Sequence, residues 1–348
     1  MDLAWVARHR TGLAAAVDGH VVDSTTVISD DDICAWLEPH VHGPALVAVD
    51  APLIVRNATG TSRRCDRAIT SVFGSSHAGA HSANLGIASF AAGIRAERLA
   101  VRLGLGTDPV LARGEPLRRM IEVYPHPAMV SLFGLRFTLK YKAKRGRDLP
   151  SRRAAFAELV RHLTTLDSAE PHLQVQSAPR WRLLCDVVAT GESARQLDVA
   201  EDELDAFVCA YIGLYYWSHG TDRCRIVGDL DGGYIVTPVT QELGDRIDRL
   251  VLREVPVAAS PMASHRGRPA PRTSRGELGP SVLAAASIAG DAQCACGCGA
   301  AVRRRYLPGH DARHRETLIR RSLQGDTTAE LTLARLGWAK FLEARRST

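Results

Sequence analysis

The chain has 348 residues, of which 45% are apolar and 24% charged. That length accommodates about two domains, and the balance excludes a disordered or fibrous protein. No run approaches the roughly 18 consecutive apolar residues of a membrane-spanning helix, so no membrane partner is expected. The N-terminal stretch Met1-Asp2-Leu3-Ala4-Trp5 lacks a basic region followed by an apolar one, which predicts no secretory signal and a cytoplasmic location.

Charge is unevenly distributed. Ser260 to Thr348 holds 15 basic and 7 acidic side chains, a net +8, whereas the rest of the chain is net −2. A basic C-terminal quarter suits a phosphate backbone or another acidic partner, although a solvated Arg-rich tail would read the same way. Cys34, Cys65, Cys185, Cys209 and Cys224 are scattered among apolar neighbours, as expected of reduced, buried thiols.

In chain order, Thr11 to Val17 and His20 to Val27 read as strands joined by a turn at Asp18-Gly19. Ser29 caps a predicted helix from Asp30 to Pro39 with three acids in its first turn. Ala45 to Val49 has the length of a buried strand and ends at Asp50-Ala51-Pro52. A polar passage from Asn57 to Asn84 is expected to be a loop around a short helix at Cys65 to Phe73. Its Arg63, Arg64, Arg67, His77, His81 and Asn84 could contact phosphates or simply face solvent, and Gly74 to Gly86 lacks the Lys-Ser/Thr ending of a P-loop. Ile87 to Leu103 reads as a helix and Met120 to Val123 as a strand.

Further along, Ser151 to Leu166 has helical spacing, with Ser151 as the expected cap. Arg180 to Ala189 is a second helix, and Val199 to Trp217 a long one with Leu204, Phe207, Val208, Tyr211 and Ile212 on one face. Cys224 to Gly228 and Gly233 to Val236 form a closing hairpin. These elements predict an α/β domain over 1–255, a flexible basic linker over 256–290 and a small module over 291–348.

Four acids stand at positions suited to catalysis. Asp2 precedes an apolar-aromatic segment, Asp50 ends a strand, Glu122 lies within Met120-Ile121-Glu122-Val123-Tyr124, and Asp205 follows Asp202 on the long helix. Converging buried carboxylates call for cations, and oxygen-rich sites suit magnesium or manganese. A metal pair of that kind can activate water for phosphodiester cleavage. The plainer alternatives are a turn hydrogen bond for Asp50, an ion pair of Glu122 with Arg118 or Arg119, and first-turn helix acids for Asp202 and Asp205.

The segments Asp2-Leu3-Ala4-Trp5, Val49-Asp50-Ala51-Pro52-Leu53, Glu122-Val123-Tyr124-Pro125-His126 and Leu204-Asp205-Ala206-Phe207, in that order, resemble the family called domain of unknown function 429. Tyr141-Lys142, Gly228-Asp229 and Gly233-Tyr234-Ile235 fit the same pattern, so the resemblance spans roughly Asp2 to Pro238. It implies an RNase H-like fold, with a mixed central sheet flanked by helices, and a predicted nuclease activity. Carried over by position, Asp2 is the first-strand acid, Asp50 the acid ending the fourth strand, Glu122 an additional strand acid and Asp205 the acid of the late helix. Asp2, Asp50 and Asp205 would bind Mg²⁺ or Mn²⁺, with Lys142 and His126 as phosphate or water contacts. In that fold several apolar residues precede the first acid. Here only Met1 does, so the expectation is either a start upstream or a frayed strand that holds Asp2 poorly.

The C-terminal run Cys294-Ala295-Cys296-Gly297-Cys298, followed by Pro308-Gly309-His310-Asp311-Ala312-Arg313-His314, has ligand types and spacing for structural Zn²⁺. Cys294, Cys296, Cys298 and His310 would complete the site, with His314 as a substitute or outer partner. The passage resembles small Cys-rich modules with a Pro-Gly-His-Asp-Ala-Arg signature; free thiols are the alternative. Arg303, Arg304 and Arg305 make the module basic, which suits nucleic-acid docking or a protein partner. The leading expectation is therefore a metal-dependent nuclease with a zinc module. A non-catalytic nucleic-acid-binding or adaptor protein, or a hydrolase of small phosphate compounds, are the rivals.

Overall fold

The computed structural model describes residues 1–111, 117–254, 292–293, 301–302, 310–336 and 338–346. It divides into two units, Met1–Pro261 and Met262–Thr348.

The first unit opens with β1 (Thr11–Val17) and β2 (His20–Val27), an antiparallel hairpin. Its turn residues Asp18 and Gly19 both have positive φ, 48° and 77°, the backbone of a turn whose twist matches the flanking strands. α1 (Asp30–Leu37) follows, with Ser29 accepting a hydrogen bond from the Asp32 amide as anticipated. β3 (Ala45–Val49) then lies parallel to β4 (Arg118–Glu122). Between them run α2 (Arg64–Phe73) and α3 (Arg95–Arg102). The single helix expected over Ile87 to Leu103 is instead a short 3₁₀ turn at Ala88–Phe90 followed by α3. Gly93, at φ 89°, breaks the two apart.

After β4 come α4 (Pro125–Leu132) and α5 (Leu149–Thr165). The cap of α5 is Asp148, whose side chain accepts from the Ser151 amide, so Ser151 lies inside the helix and not at its cap. α6 (Trp181–Thr190) leads to α7 (Ala194–His219), which starts at a reciprocal capping box between Ser193 and Gln196. β5 (Cys224–Asp229) and β6 (Gly233–Pro238) form the second hairpin, and α8 (Gln241–Glu254) follows.

These two-stranded ladders are linked by single bridges into one row. Val123 bridges Val236 in parallel. At the other end the first two residues join the hairpin to the parallel pair. The Asp2 amide donates to Gly12 O at 2.9 Å, the Gly12 amide donates to Asp2 O at 3.0 Å, and the Asp50 amide donates to Met1 O at 2.9 Å. The Met1 amino group donates to Ala48 O at 2.8 Å. Neighbours therefore run β2, β1, Met1-Asp2, β3, β4, β6, β5. Fraying, one of the two expectations for Asp2, is not seen: Asp2 bonds to Gly12 on one side, and the preceding Met1 bonds to Ala48 and Asp50 on the other. α7 packs along β1 and β3 and buries Leu204, Phe207, Val208, Tyr211 and Ile212 as the spacing foretold. Cys34, Cys65, Cys209 and Cys224 are buried free thiols and Cys185 is partly exposed.

In the second unit, β7 (Ala292–Gln293) and β8 (Ala301–Val302) pair antiparallel. α9 (His310–Leu323), α10 (Thr327–Arg335) and α11 (Ala339–Arg346) enclose a small core of Leu318, Ile319, Ala329, Leu333 and Leu342. Cys294, Cys296, Cys298, Arg303, Arg304 and Arg305 lie outside the described residues, as does the expected linker over 256–290. Only the backbone of His310 is described, as the first residue of α9.

Candidate active site

Each acid is presented by a separate element. Asp2 follows the short Met1 segment between β1 and β3, and Asp50 stands just past the end of β3. Asp205 comes up from α7, where a full turn back Glu201 and Asp202 share its side of the helix. Packing of α7 on β1 and β3 sets the helix acids beside the segments that carry Asp2 and Asp50. A Cβ added to Gly12 would lie 1.7 Å from Asp202 O, so only glycine lets the strand approach the helix this closely.

Asp205 is completely buried. The Tyr141 hydroxyl donates to its Oδ1 at 2.6 Å, and Lys142 Nζ stands 2.5 Å from its Oδ2. That second oxygen lies in ion-pair contact without an aligned hydrogen bond. The Tyr141-Lys142 segment is itself pinned. Arg152 Nε donates to Tyr141 O at 2.7 Å and Arg147 to Lys142 O at 2.8 Å.

The electrostatics show that Asp2, Asp50 and Asp205 share one field. Burial raises the Asp2 carboxyl well above its usual range; Lys142 opposes the rise, while Asp205, Asp50 and Asp202 add to it. Burial likewise lifts Asp50 to about 7, against Lys142 and with help from Asp205 and Glu122. Burial and Asp205 raise Glu201 to about 7, and burial raises Asp202 to about 6 against its ion pair with Arg10. Burial disfavours the charge on Lys142, yet Asp205, Asp2 and Asp50 hold its ammonium form well into the alkaline range. Lys142 is thus the counter-ion of Asp205, and its charge also acts on Asp2 and Asp50.

Two aromatic side chains and a histidine edge this cluster. The His126 ring contacts Tyr124 and Tyr141, with centroids 5.6 and 6.0 Å away. Its Nδ1 lies 2.9 Å from the Thr138 hydroxyl. Burial, and then the Lys142 charge, hold His126 neutral well below its ordinary pKa.

Glu122 is held by a network of its own. Its carboxylate accepts from Arg63 at 2.6 and 2.8 Å and from the Leu53 amide at 2.9 Å. Arg63 also binds Asp66 at 2.8 Å and Ile54 O at 3.1 Å, and Asp66 accepts from the Ala83 amide. Glu122, Arg63 and Asp66 are all buried. This closed network pins the 52–84 passage against β4, so Arg63 faces carboxylates and not solvent. The sequence alternative of an ion pair with Arg118 or Arg119 is replaced by a partner 59 positions away. Arg64, next to Arg63, is exposed.

Sequence reasoning missed Glu201, Arg152 and the hydrogen bond from Tyr141. The i, i+4 spacing of Glu201 and Asp205 was available as a signal; the long-range partners of Arg63 and Arg152 were not.

A family model described as "Protein of unknown function (DUF429)" matches residues 1–230. The chain belongs to the DUF429 family. The matched stretch holds every residue of the carboxylate cluster and ends inside the β5–β6 hairpin. No curated protein and no solved structure matches this DUF429 chain. Among the described residues, no helix is long and apolar enough to cross a membrane.

The donor set bears on the divalent cation that the resemblance implies. It consists of hard carboxylate oxygens, and it includes the buried Oδ2 of Asp205, which makes no aligned hydrogen bond. That chemistry suits Mg²⁺ or Mn²⁺. Among the described residues no three such groups stand close enough together to hold an ion, and the Lys142 ammonium takes the place of a cation beside Asp205.

Proposed function

We propose that the first unit of this DUF429 chain is a divalent-metal-dependent phosphodiester hydrolase acting on DNA or RNA, with an RNase H-like arrangement of its acids. The observation that carries this reading is the buried Asp205 of α7 against Lys142, with Asp2 and Asp50, on neighbouring segments of the sheet, near enough for their charges to act on the same pair. So many acids in one field are costly without cations, and the cost shows in carboxyls raised toward neutrality. As they stand, no three groups among the described residues are close enough to hold an ion, so Asp2, Asp50 and Asp205 would hold the metal only on being drawn together around it, with Glu201 and Asp202 at its edge. A bound cation would supply Lewis-acid stabilisation of the phosphoryl oxygens and an activated water.

The chain's own groups would act around it. Tyr141 fixes one Asp205 oxygen through its hydroxyl. Lys142, on a flexible stem, releases Asp205 and turns to a phosphate oxygen of the substrate. His126, kept neutral, offers a ring nitrogen for hydrogen bonding. Glu122 has no part in this set, because Arg63 and the Leu53 amide occupy it.

The second unit we read as a basic docking module. Pairing of Gln293 with Ala301 draws together the two ends of the segment that holds the three cysteines, a framework that supports a structural Zn²⁺ site completed by His310. Zinc content of the purified protein tests this part. About one equivalent is expected, lost with Cys296→Ser.

One observation favours the adaptor reading instead: Lys142 already stands as the counter-ion of Asp205. Metal titration followed by cleavage of mixed DNA and RNA separates the two. Metal-dependent cutting supports the hydrolase, whereas nucleic-acid binding without any cutting supports the adaptor.

A further inference from the structure

The segment 135–147, between α4 and α5, carries six basic side chains and no acid: Arg136, Lys140, Lys142, Lys144, Arg145 and Arg147. Lys142 belongs to the carboxylate cluster, and Arg147 holds its carbonyl. Arg136, Lys140, Lys144 and Arg145 are exposed, and among the described residues none of them has a carboxylate partner.

This basic segment begins at an exposed aromatic stack. Phe137 is 42% exposed, and the ring of His77, itself exposed, lies against it with centroids 4.8 Å apart and planes 21° from parallel. The Arg136 guanidinium carbon stands 5.1 Å from the Phe137 centroid. Backbone holds the pair in place. The Thr138 amide donates to Ser76 O at 2.9 Å, and His77, at φ 59°, takes a left-handed conformation uncommon outside glycine. A phenyl ring left in water gains by covering, and a flat partner covers this one best.

Thr138 carries the same wall to the carboxylate cluster. Its hydroxyl lies 2.9 Å from His126 Nδ1, the His126 ring lies against Tyr141, and Tyr141 donates to Asp205. Burial first, and then the charges of Lys142, Lys144 and Arg147, lower the His126 pKa, so the cations of the segment act at that ring too. Open ring surface beside a row of cations is what an unpaired nucleotide needs, a face for the base and positive charge for its phosphates. A duplex presents the phosphates but keeps its base faces stacked inside. An acidic peptide would use the cations and leave the rings open.

We propose that this surface receives a single-stranded nucleic acid, with one base stacked on the Phe137–His77 pair, neighbouring phosphates on Arg136 and Lys144, and the strand led past His126 toward Asp205. The inference rests on the hydrolase reading for what happens at Asp205. The stacking itself is read by binding, without cleavage.

Fluorescence anisotropy of the full chain, with no divalent metal added, compares oligo(dT) with an abasic strand of equal length and charge. Phosphate contacts anywhere on the chain act alike on both strands, so the difference reads bases alone. The native chain should prefer oligo(dT) by about fivefold or more. Phe137→Ala, with Tm unchanged because the ring is exposed, should abolish that preference. Phe137→Trp should keep it, and duplex affinity should be the same in all three proteins. Lys144→Ala should weaken both strands alike. The proposal is overturned by equal affinity of the native chain for the two strands, by a preference that survives Phe137→Ala, or by a duplex affinity that falls in this variant as far as that for oligo(dT). The two readings fail separately. Base preference that depends on Phe137, without cutting in Mg²⁺ or Mn²⁺, removes the hydrolase and leaves the stacking site; cutting without base preference does the reverse.

Discussion

Asp50 and Lys142 carry opposite halves of one electrostatic balance. A carboxyl raised in the folded state contributes stability below its unfolded pKa and loses it as pH climbs through the folded one. For Asp50 that window runs from the ordinary carboxylate range, 3.8, to about 7. The metal-free protein should therefore lose stability between about pH 4 and 7. Asp50→Asn should flatten that decline and raise Tm at pH 8 by about 2–4 °C, on the order of 1 kcal/mol. Thermal denaturation across this pH range checks it. The same titration governs metal: Mn²⁺ affinity, read by calorimetry, should rise between about pH 6 and 8 as Asp50, Glu201 and Asp202 shed protons.

Arg63 is the second residue whose removal has a definite sign. Arg63→Met strands the Glu122 charge in the interior and should cost about 3–5 kcal/mol, whereas Glu122→Gln added to it should recover part of the loss. Urea denaturation of the single and double variants measures both. Asp50 was legible in sequence as an acid ending an apolar strand. The true partner of Glu122 was not, because the two sit 59 residues apart and spacing reports only neighbours along one element.

At the scale of elements, contact between β1 and α7 decides whether the acids converge. Gly12→Ala places a methyl group 1.7 Å from the Asp202 carbonyl oxygen, which is backbone that cannot step aside. It should destabilise by more than about 2–3 kcal/mol, and any folded remainder should lose the coupled titration of Asp50, visible in carboxyl NMR. The strands themselves were readable. β1, β2 and β3 have the bounds that alternation and turn residues predict, since each is a local pattern closed by Gly or Pro. α4 was hidden because Pro125 and Pro127 look like breakers, although proline is compatible with a first helical turn. The Ile87 to Leu103 helix was overread because apolar spacing continues across Gly93 while the backbone does not. How Met1-Asp2 sews two ladders together lies beyond periodicity altogether, for it depends on which edges meet in space.

Among the described residues, no buried apolar cluster is shared between the two units, a division that follows that of the charge. The first unit has its own extensive core, and the second has a small one around Leu333. Residues 1–261 alone should therefore fold, with a Tm within a few degrees of that of the full chain. If the basic module docks on phosphates, this shortened chain should bind nucleic acid more weakly and with a shallower salt dependence. Equal affinity and slope would assign the module to a protein partner.

The most direct measurement is cleavage of mixed DNA and RNA substrates in Mg²⁺ or Mn²⁺ by the purified chain beside Asp50→Asn. Metal-dependent cutting by the native chain, abolished in a variant that is at least as stable at pH 8, is the predicted result. Cutting that persists in Asp50→Asn, or no cutting by the native chain while the cluster binds Mn²⁺, would contradict the assignment of this carboxylate cluster as a phosphodiester-cleaving site.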